Sequence, residues 1–378
     1  MSSKLIIRTI IYKIKNNLIK VNVILESRVL KLRYHYDGIK LFQAPQEFSK
    51  DTPKEILQYA VGALLYMPAT NESIASKIIS GEYSFVKSLV LDLEDALGDD
   101  MVGFGQRHIV KVVNQIDEAV QTGKLAFTDV PLIFIRVREA KHISDAVKML
   151  GPKIRYITGF NIPKFDKHCC DKYIDIFGEA CEYAKDTAGS KLYIMPIIEN
   201  KTAMYRQLRM DNLLYVNNSL RAIADNVLNI RVGGADFNNI FGIRRNVNHT
   251  IYDTGVVRSC LNDIVNVFGK NYVVSGPVWE YFSTEAGLKG LERELDADTI
   301  NGFFGKTAIH PSQLPIIQRF YIVDYLDYQD ALGILGMNVN TTGVQKSASG
   351  RMNEVKTHGK WAQKIINIAN IYGVKSPD

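Results

Sequence analysis

Charged residues recur where short apolar runs of this chain end, which is where an α/β enzyme places its chemistry. Asp92, Glu94 and Asp95 follow Leu89–Leu91, Arg136 and Arg138 follow Ile133–Ile135, and Lys164 follows Ile162-Pro163. Glu199 closes the run Leu192–Ile198, Asp236 follows Gly233-Gly234, and Lys306 and His310 come last. A charge buried alone is costly. Carboxylates and cations that converge must therefore neutralise one another or hold a metal. Carboxylate oxygens with few imidazoles or thiolates nearby favour Mg²⁺ over Zn²⁺. Mg²⁺ takes one or two carboxylates and keeps waters for a substrate to displace. Glu199 and Asp236 fit that pattern.

Each of these residues also has a structural role open to it. Asp92, Glu94 and Asp95 can cap a helix or pair with Arg136 and Lys164, because strand-end carboxylates often anchor loops. Glu199 can occupy a helix N-terminus, where the dipole favours it. Gly233-Gly234 before Asp236 can be a simple turn, and His310-Pro311 reads as a helix start with proline in its first position. Cys169, Cys170, Cys181 and Cys260 match no zinc spacing. They read as free, partly buried thiols.

The elements that must position these groups alternate. Apolar strand candidates are Ala63–Met67, Ser88–Leu93, Leu132–Val137, Tyr156–Ile162, Leu192–Ile198, Ile230–Gly234, Tyr272–Ser275 and Gly302–Gly305. Helix-period segments lie between them. In Gln106–Val120 the residues Ile109, Val112, Val113, Ile116 and Val120 share one face. Eight strands alternating with helices predict a (β/α)₈ TIM barrel, with an open doubly wound sheet as the rival that periodicity alone leaves standing. The barrel is expected over residues 59–322, preceded by a basic N-terminal extension (1–58) and followed by a C-terminal helical segment (323–378) free to pack on a neighbouring subunit. In the extension, Lys20–Leu25 and Val29–Tyr34 alternate as strands do. Thr341–Arg351 reads as a polar loop and Lys360–Tyr372 as a helix.

The net charge of +6 over 378 residues is unevenly spread. Residues 1–50 hold ten Lys/Arg against three Asp/Glu, and the rest of the chain is almost neutral. The basic arm has no aromatic interleaving or basic-helix pattern, so no nucleic-acid partner is expected. No uncharged apolar run is long enough to span a bilayer, and no signal peptide is recognisable. A cytoplasmic protein without a membrane partner is expected.

Several segments, in order, resemble the HpcH/HpaI aldolase and citrate lyase β-subunit family. They are Leu65-Tyr66-Met67-Pro68-Ala69, Val90-Leu91-Asp92-Leu93-Glu94-Asp95-Ala96, Ile135-Arg136-Val137, Ile162-Pro163-Lys164, Pro196-Ile197-Ile198-Glu199, Gly233-Gly234-Ala235-Asp236 and Gly305-Lys306-Thr307-Ala308-Ile309-His310-Pro311-Ser312-Gln313. The acidic segment and the last one, together and in this order, are the most specific. The resemblance implies a TIM barrel that makes or breaks a carbon–carbon bond next to a carboxylate or thioester. It implies Mg²⁺ (or Mn²⁺) held by Glu199 and Asp236. It also implies that Arg136 meets the substrate carboxylate or a developing oxyanion, with Lys164 and Asp95 beside the substrate. Coenzyme A-dependent members take an acid/base aspartate from a neighbouring subunit, two residues after a methionine. In Arg351-Met352-Asn353-Glu354 the corresponding residue is Glu354, which implies a homo-oligomer. The chain departs from the family pattern in Gly62-Ala63, where Arg-Ser is common, in Arg138, where asparagine is common, and in its long basic arm. These features look like the tellurium-resistance-associated branch.

The expected reaction is cleavage of a 2-oxo acid, hydroxy acid or acyl-CoA through an enolate. The metal and Arg136 would offset negative charge, and Glu354, Asp92, Glu94 or Asp95 would handle the proton. An acyl-CoA thioesterase on the same barrel, a phosphoenolpyruvate-type mutase or lyase on a related one, and a non-catalytic binding component of a stress-response system are the alternatives.

Overall fold

The computed structural model describes residues 32–337, 343–347 and 350–377. Eight parallel strands form its centre: β1 (Ala63–Pro68), β2 (Ser88–Asp92), β3 (Leu132–Arg136), β4 (Ile157–Ile162), β5 (Tyr193–Ile198), β6 (Ile230–Val232), β7 (Val274–Ser275) and β8 (Lys306–Ala308). Each pairs with the next, and β1 also pairs with β8. A parallel bridge between Gly276 and Lys306 joins the last two strands and closes the barrel. The open-sheet rival is thereby excluded.

The strands form where apolar runs allow burial on both faces, as a parallel sheet under a helical layer requires. All of the residues in β2, β3, β4 and β5 are buried. The helix Val102–Gln121 buries Ile109, Val112, Val113 and Ile116 against the sheet, the face its spacing predicts. The eighth strand lies a few residues later than expected, at Lys306–Ala308 instead of Gly302–Gly305. Gly302 and Gly305 have φ of +90° and +83° and serve as the turn into the strand, not as the strand itself.

The N-terminal end of the barrel is plugged by the two ends of the described chain. The helix Lys54–Ala60 leads into β1, and the strand Leu41–Gln43 pairs antiparallel with Val374–Lys375. Tyr34 and Tyr372 stack at 4.5 Å, and their hydroxyls donate to the carbonyls of Ala60 and Tyr59. Gly62 is required here: its φ is +48°, and a Cβ would stand 2.0 Å from the Tyr372 hydroxyl. The C-terminal helix Val355–Tyr372 therefore ends against its own barrel, packed also on the helix Tyr325–Gly336. The expected strand at 20–25 lies outside the described residues, as does the first half of that at 29–34; Leu32 and Phe48 form a single bridge. The Thr341–Arg351 segment was expected as a loop, yet Val344–Lys346 pairs with Met352–Glu354 as a hairpin. Among the described residues no helix is long and apolar enough to cross a membrane.

Candidate active site at the barrel mouth

Strand alternation decides which side chains enter the barrel. Asp92 and Arg136 are paired in register at the ends of β2 and β3, so both point inward. The Arg136 guanidinium forks onto Asp92, with Nε and Nη2 each donating at 2.6 Å to one carboxylate oxygen. Its Nη1 reaches Glu94 and Asp95, both at 3.0 Å. Burial disfavours the Arg136 charge, but Asp92 and Glu94 outweigh it and hold the pKa above its ordinary value. Lys164 pairs with Glu94. The acidic segment and the two cations thus form one network, the pairing that was open to them on residue type alone.

Glu199 and Asp236 sit beside this network in a different state. Glu199 is 4% exposed. One of its oxygens accepts the Lys164 backbone N–H at 2.8 Å. Lys164 follows Pro163 with φ of +50°, the only described non-glycine residue at positive φ. That strained turn aims the amide at the carboxylate. The other Glu199 oxygen lies over Gly233, where a Cβ would meet it at 2.3 Å and the Asp236 carboxylate at 3.1 Å. Glycine at 233 therefore leaves open the space on which two carboxylates converge. Among the described residues neither has an ion-pair partner of its own. Burial, then the nearby Asp236, pushes the Glu199 pKa up to about 8, and burial raises that of Asp236 as well, with Asp95 adding to it. A divalent cation between them would relieve that repulsion. No three His, Cys, Asp or Glu side chains cluster as metal ligands among the described residues, so the donor set is a carboxylate pair, which suits Mg²⁺.

These groups line a cavity of about 410 Å³ with Tyr66, Asp92, Asp95, Arg136, Arg231 and Thr307 on its walls. An adjoining cleft of about 510 Å³ runs past Glu94, Asp95, Lys164, Arg138 and Tyr173. Arg138 closes off part of this cleft by donating to the carbonyls of Glu94 and Leu97.

Seven of the eight anticipated site residues therefore meet at the mouth: Asp92, Glu94, Asp95, Arg136, Lys164, Glu199 and Asp236. Glu354 does not. It precedes the C-terminal helix, its backbone N–H donates to His358 Nδ1, and its strand packs on the helix Tyr325–Gly336. Of the last two charged residues, one leaves the mouth and the other takes the helix-start role its Pro311 neighbour predicts. Lys306 faces away from the barrel axis, fully buried against Glu294 and Asp298. His310 caps the turn at Pro311–Gln313. Sequence reasoning missed Arg231 and Tyr66. The signal for Arg231 was a cation in the middle of the apolar run Ile230–Val232, where one side chain in two must point inward.

Comparison with known proteins sharpens this picture. No curated protein sequence matches the chain. Among solved structures, CitE from Mycobacterium tuberculosis, determined with magnesium, acetoacetate and coenzyme A, is 14% identical with a TM-score of 0.54, over 82% of this chain and 99% of that one. A citrate lyase from Burkholderia xenovorans is 13% identical with a TM-score of 0.59, over 84% and 94% of the two chains. At these identities the likeness shows the shared fold. Residues 55–374 match the model of the C–C bond lyases of the TIM-barrel fold, and with most of its length inside that match the chain belongs to this family of carbon–carbon lyases.

Proposed function

We propose that this lyase is Mg²⁺-dependent, with Mn²⁺ as a substitute, and acts on a small carboxylate substrate, a 2-oxo acid, hydroxy acid or acyl-CoA. The observation that carries the reading is the convergence of Glu199 and Asp236 over Gly233, two carboxylates with no cation of their own among the described residues. The CitE neighbour's magnesium and acetoacetate support the same reading. When bound, Mg²⁺ would supply a Lewis acid for substrate oxygens.

The chain's own residues do the rest. Cleavage requires a substrate hydroxyl to lose its proton as the carbon–carbon bond breaks, and the departing carbon to hold the electron pair until it is protonated. Arg136 and Lys164 place positive charge at the mouth. Asp92 has both oxygens on Arg136 and Glu94 is shared between Arg136 and Lys164. They are positioned to fix those cations, and are poorly placed as bases.

Glu354, supplied by a neighbouring copy, is the remaining acid/base candidate. Its hairpin leaves Val344 and Met352 more than half exposed, at 56% and 57%, an apolar surface that a homo-oligomer would cover. Titrating Mg²⁺ into wild type, Glu199→Gln and Asp236→Asn tests the metal assignment: both variants should lose binding, and wild-type affinity in both would end it. Mixing Glu354→Gln with Glu199→Gln subunits should restore part of the activity that each lacks alone. A fully active Glu354→Gln protein would end the acid/base role.

A further inference from the structure

Glu354 ends a three-residue strand, and in so short a strand the register decides which way its carboxylate faces. Met352–Glu354 pairs antiparallel with Val344–Lys346, with Val344 opposite Glu354, Gln345 opposite Asn353 and Lys346 opposite Met352. Side chains alternate between the two faces of such a ribbon, and residues directly opposite share a face. Val344, Lys346 and Met352 are exposed, whereas Asn353 is buried. Glu354 therefore belongs to the outward face, and Asn353 to the inward one. The Glu354 carboxylate has no hydrogen bond or ion pair among the described residues.

The inward side is anchored at one carboxylate. Asp330, 3% exposed on the helix Tyr325–Gly336, accepts from Asn353 Nδ2 at 3.1 Å on one oxygen and from Arg351 Nη2 at 2.8 Å on the other. Arg351 Nη2 also reaches Asp327 at 2.5 Å, and its guanidinium lies 5.6 Å from the Trp361 ring centre. The Arg351 backbone closes the turn: its N–H donates to Ser347 Oγ at 3.0 Å, and its carbonyl accepts from the Ser347 N–H at 2.8 Å. A slip of one residue would turn Asn353 outward and Glu354 inward. It would also set a second carboxylate beside the buried Asp330, where like charges disfavour each other. The anchor holds one register against the other.

Resting on the reading of Glu354 as an acid/base supplied to a neighbouring copy, we propose that Asp330 and Asn353 are its positioning residues. Their hydrogen bond fixes the register that points Glu354 away from its own chain. Neither side chain touches the reacting atoms.

The test uses the full-length protein with Mg²⁺ and pyruvate as the probe, in D₂O. A base takes a proton from the methyl carbon, the electron pair moves onto the carbonyl oxygen, and a deuteron returns to the carbon; NMR reads the exchange. Glu354→Gln should slow it by about 10²-fold or more. Asn353→Ala and Asp330→Leu should each slow it by about tenfold or more, the worth of a hydrogen bond to a charged group, with Mg²⁺ affinity and the KM for pyruvate kept. Asp330→Asn, which keeps an oxygen for Asn353, should lose less than Asp330→Leu. Mixed oligomers separate positioning from damage. Asn353→Ala subunits keep a working mouth, so mixing them with Glu199→Gln subunits, whose hairpin is intact, should recover exchange. Mixing them with Glu354→Gln subunits should recover none, and a merely destabilised subunit would be rescued by neither. A wild-type rate in Asn353→Ala would overturn the proposal. So would failure of Asn353→Ala to recover with Glu199→Gln where Glu354→Gln does recover with it. Failure of the underlying reading has its own signature: a wild-type rate in Glu354→Gln, no recovery between Glu354→Gln and Glu199→Gln, or no Mg²⁺-dependent exchange in wild type.

Discussion

Two clusters of charge lie on opposite sides of the barrel wall, and they differ in how they are closed. Behind β8, Lys306 Nζ sits 2.7 Å from Glu294 and 2.7 Å from Asp298, all three fully buried. Arg245 and the Ile251 amide satisfy the other Glu294 oxygen, and the Tyr252 hydroxyl the other Asp298 oxygen. Two cations meet two carboxylates, and each carboxylate oxygen has a donor. At the mouth, Arg136 and Lys164 are committed to Asp92, Glu94 and Asp95, while Glu199 and Asp236 face each other and Arg231 keeps two idle donors. A closed cluster holds elements together. The mouth keeps a carboxylate pair with no ion-pair partner of its own among the described residues, and the metal proposal rests on that difference.

The largest effect is expected where closure is broken. Lys306→Met leaves Glu294 and Asp298 buried with one cation fewer, and removing one member of a buried ion cluster costs about 3–5 kcal/mol. Denaturant unfolding should show that loss, and Mg²⁺ titration of the folded protein should show none. A variant within about 1 kcal/mol of wild type would mean that the cluster is not the structural partner of the mouth.

Arg136→Lys should come next. Lysine keeps the charge and loses the fork onto Asp92, leaving buried carboxylate oxygens short of donors at about 1–3 kcal/mol. Because Arg136 also orders the loop bearing Glu94 and Asp95, kcat/KM should fall once a substrate is identified. Unaltered stability and unaltered turnover together would show that Arg136 is not the organiser of the mouth.

The sequence made these two clusters hard to tell apart. Gly305-Lys306-Thr307 belongs to a recognisable segment, and its lysine was grouped with the charges of the mouth. Side-chain alternation reverses this: Lys306 points outward to the helix Glu285–Ile300, while Thr307 points in and receives Arg231. The register of a three-residue strand cannot be read from composition, because one residue of shift exchanges the two faces. The longer strands were legible, and so were the carboxylates at their ends, since five- and six-residue apolar runs fix their own boundaries. The Arg136 network was legible only as a choice between pairing and catalysis, which distances decide. Arg231 was overlooked because an inward-facing cation in an apolar strand looks like part of the run that contains it. Glu354 is in the opposite position. Its segment resembles one that completes a neighbour's site, and the single chain places it away from its own mouth.

The smallest expected effect has the opposite sign. In the metal-free protein, burial and Asp236 disfavour the ionised form of Glu199, so this carboxylate detracts from stability when no cation offsets its charge. Glu199→Gln keeps the shape and an oxygen for the Lys164 amide, and removes the charge. Metal-free Glu199→Gln should therefore be as stable as wild type or up to about 1 kcal/mol more so, of the order expected when a strained functional residue is relaxed. Adding Mg²⁺ should raise the unfolding temperature of wild type by mass action and leave that of the variant unmoved. Scanning calorimetry with and without Mg²⁺ reads both halves. A metal-free variant clearly less stable than wild type would show that Glu199 is held by structural partners after all. The mouth would then be closed in the same sense as the cluster behind β8.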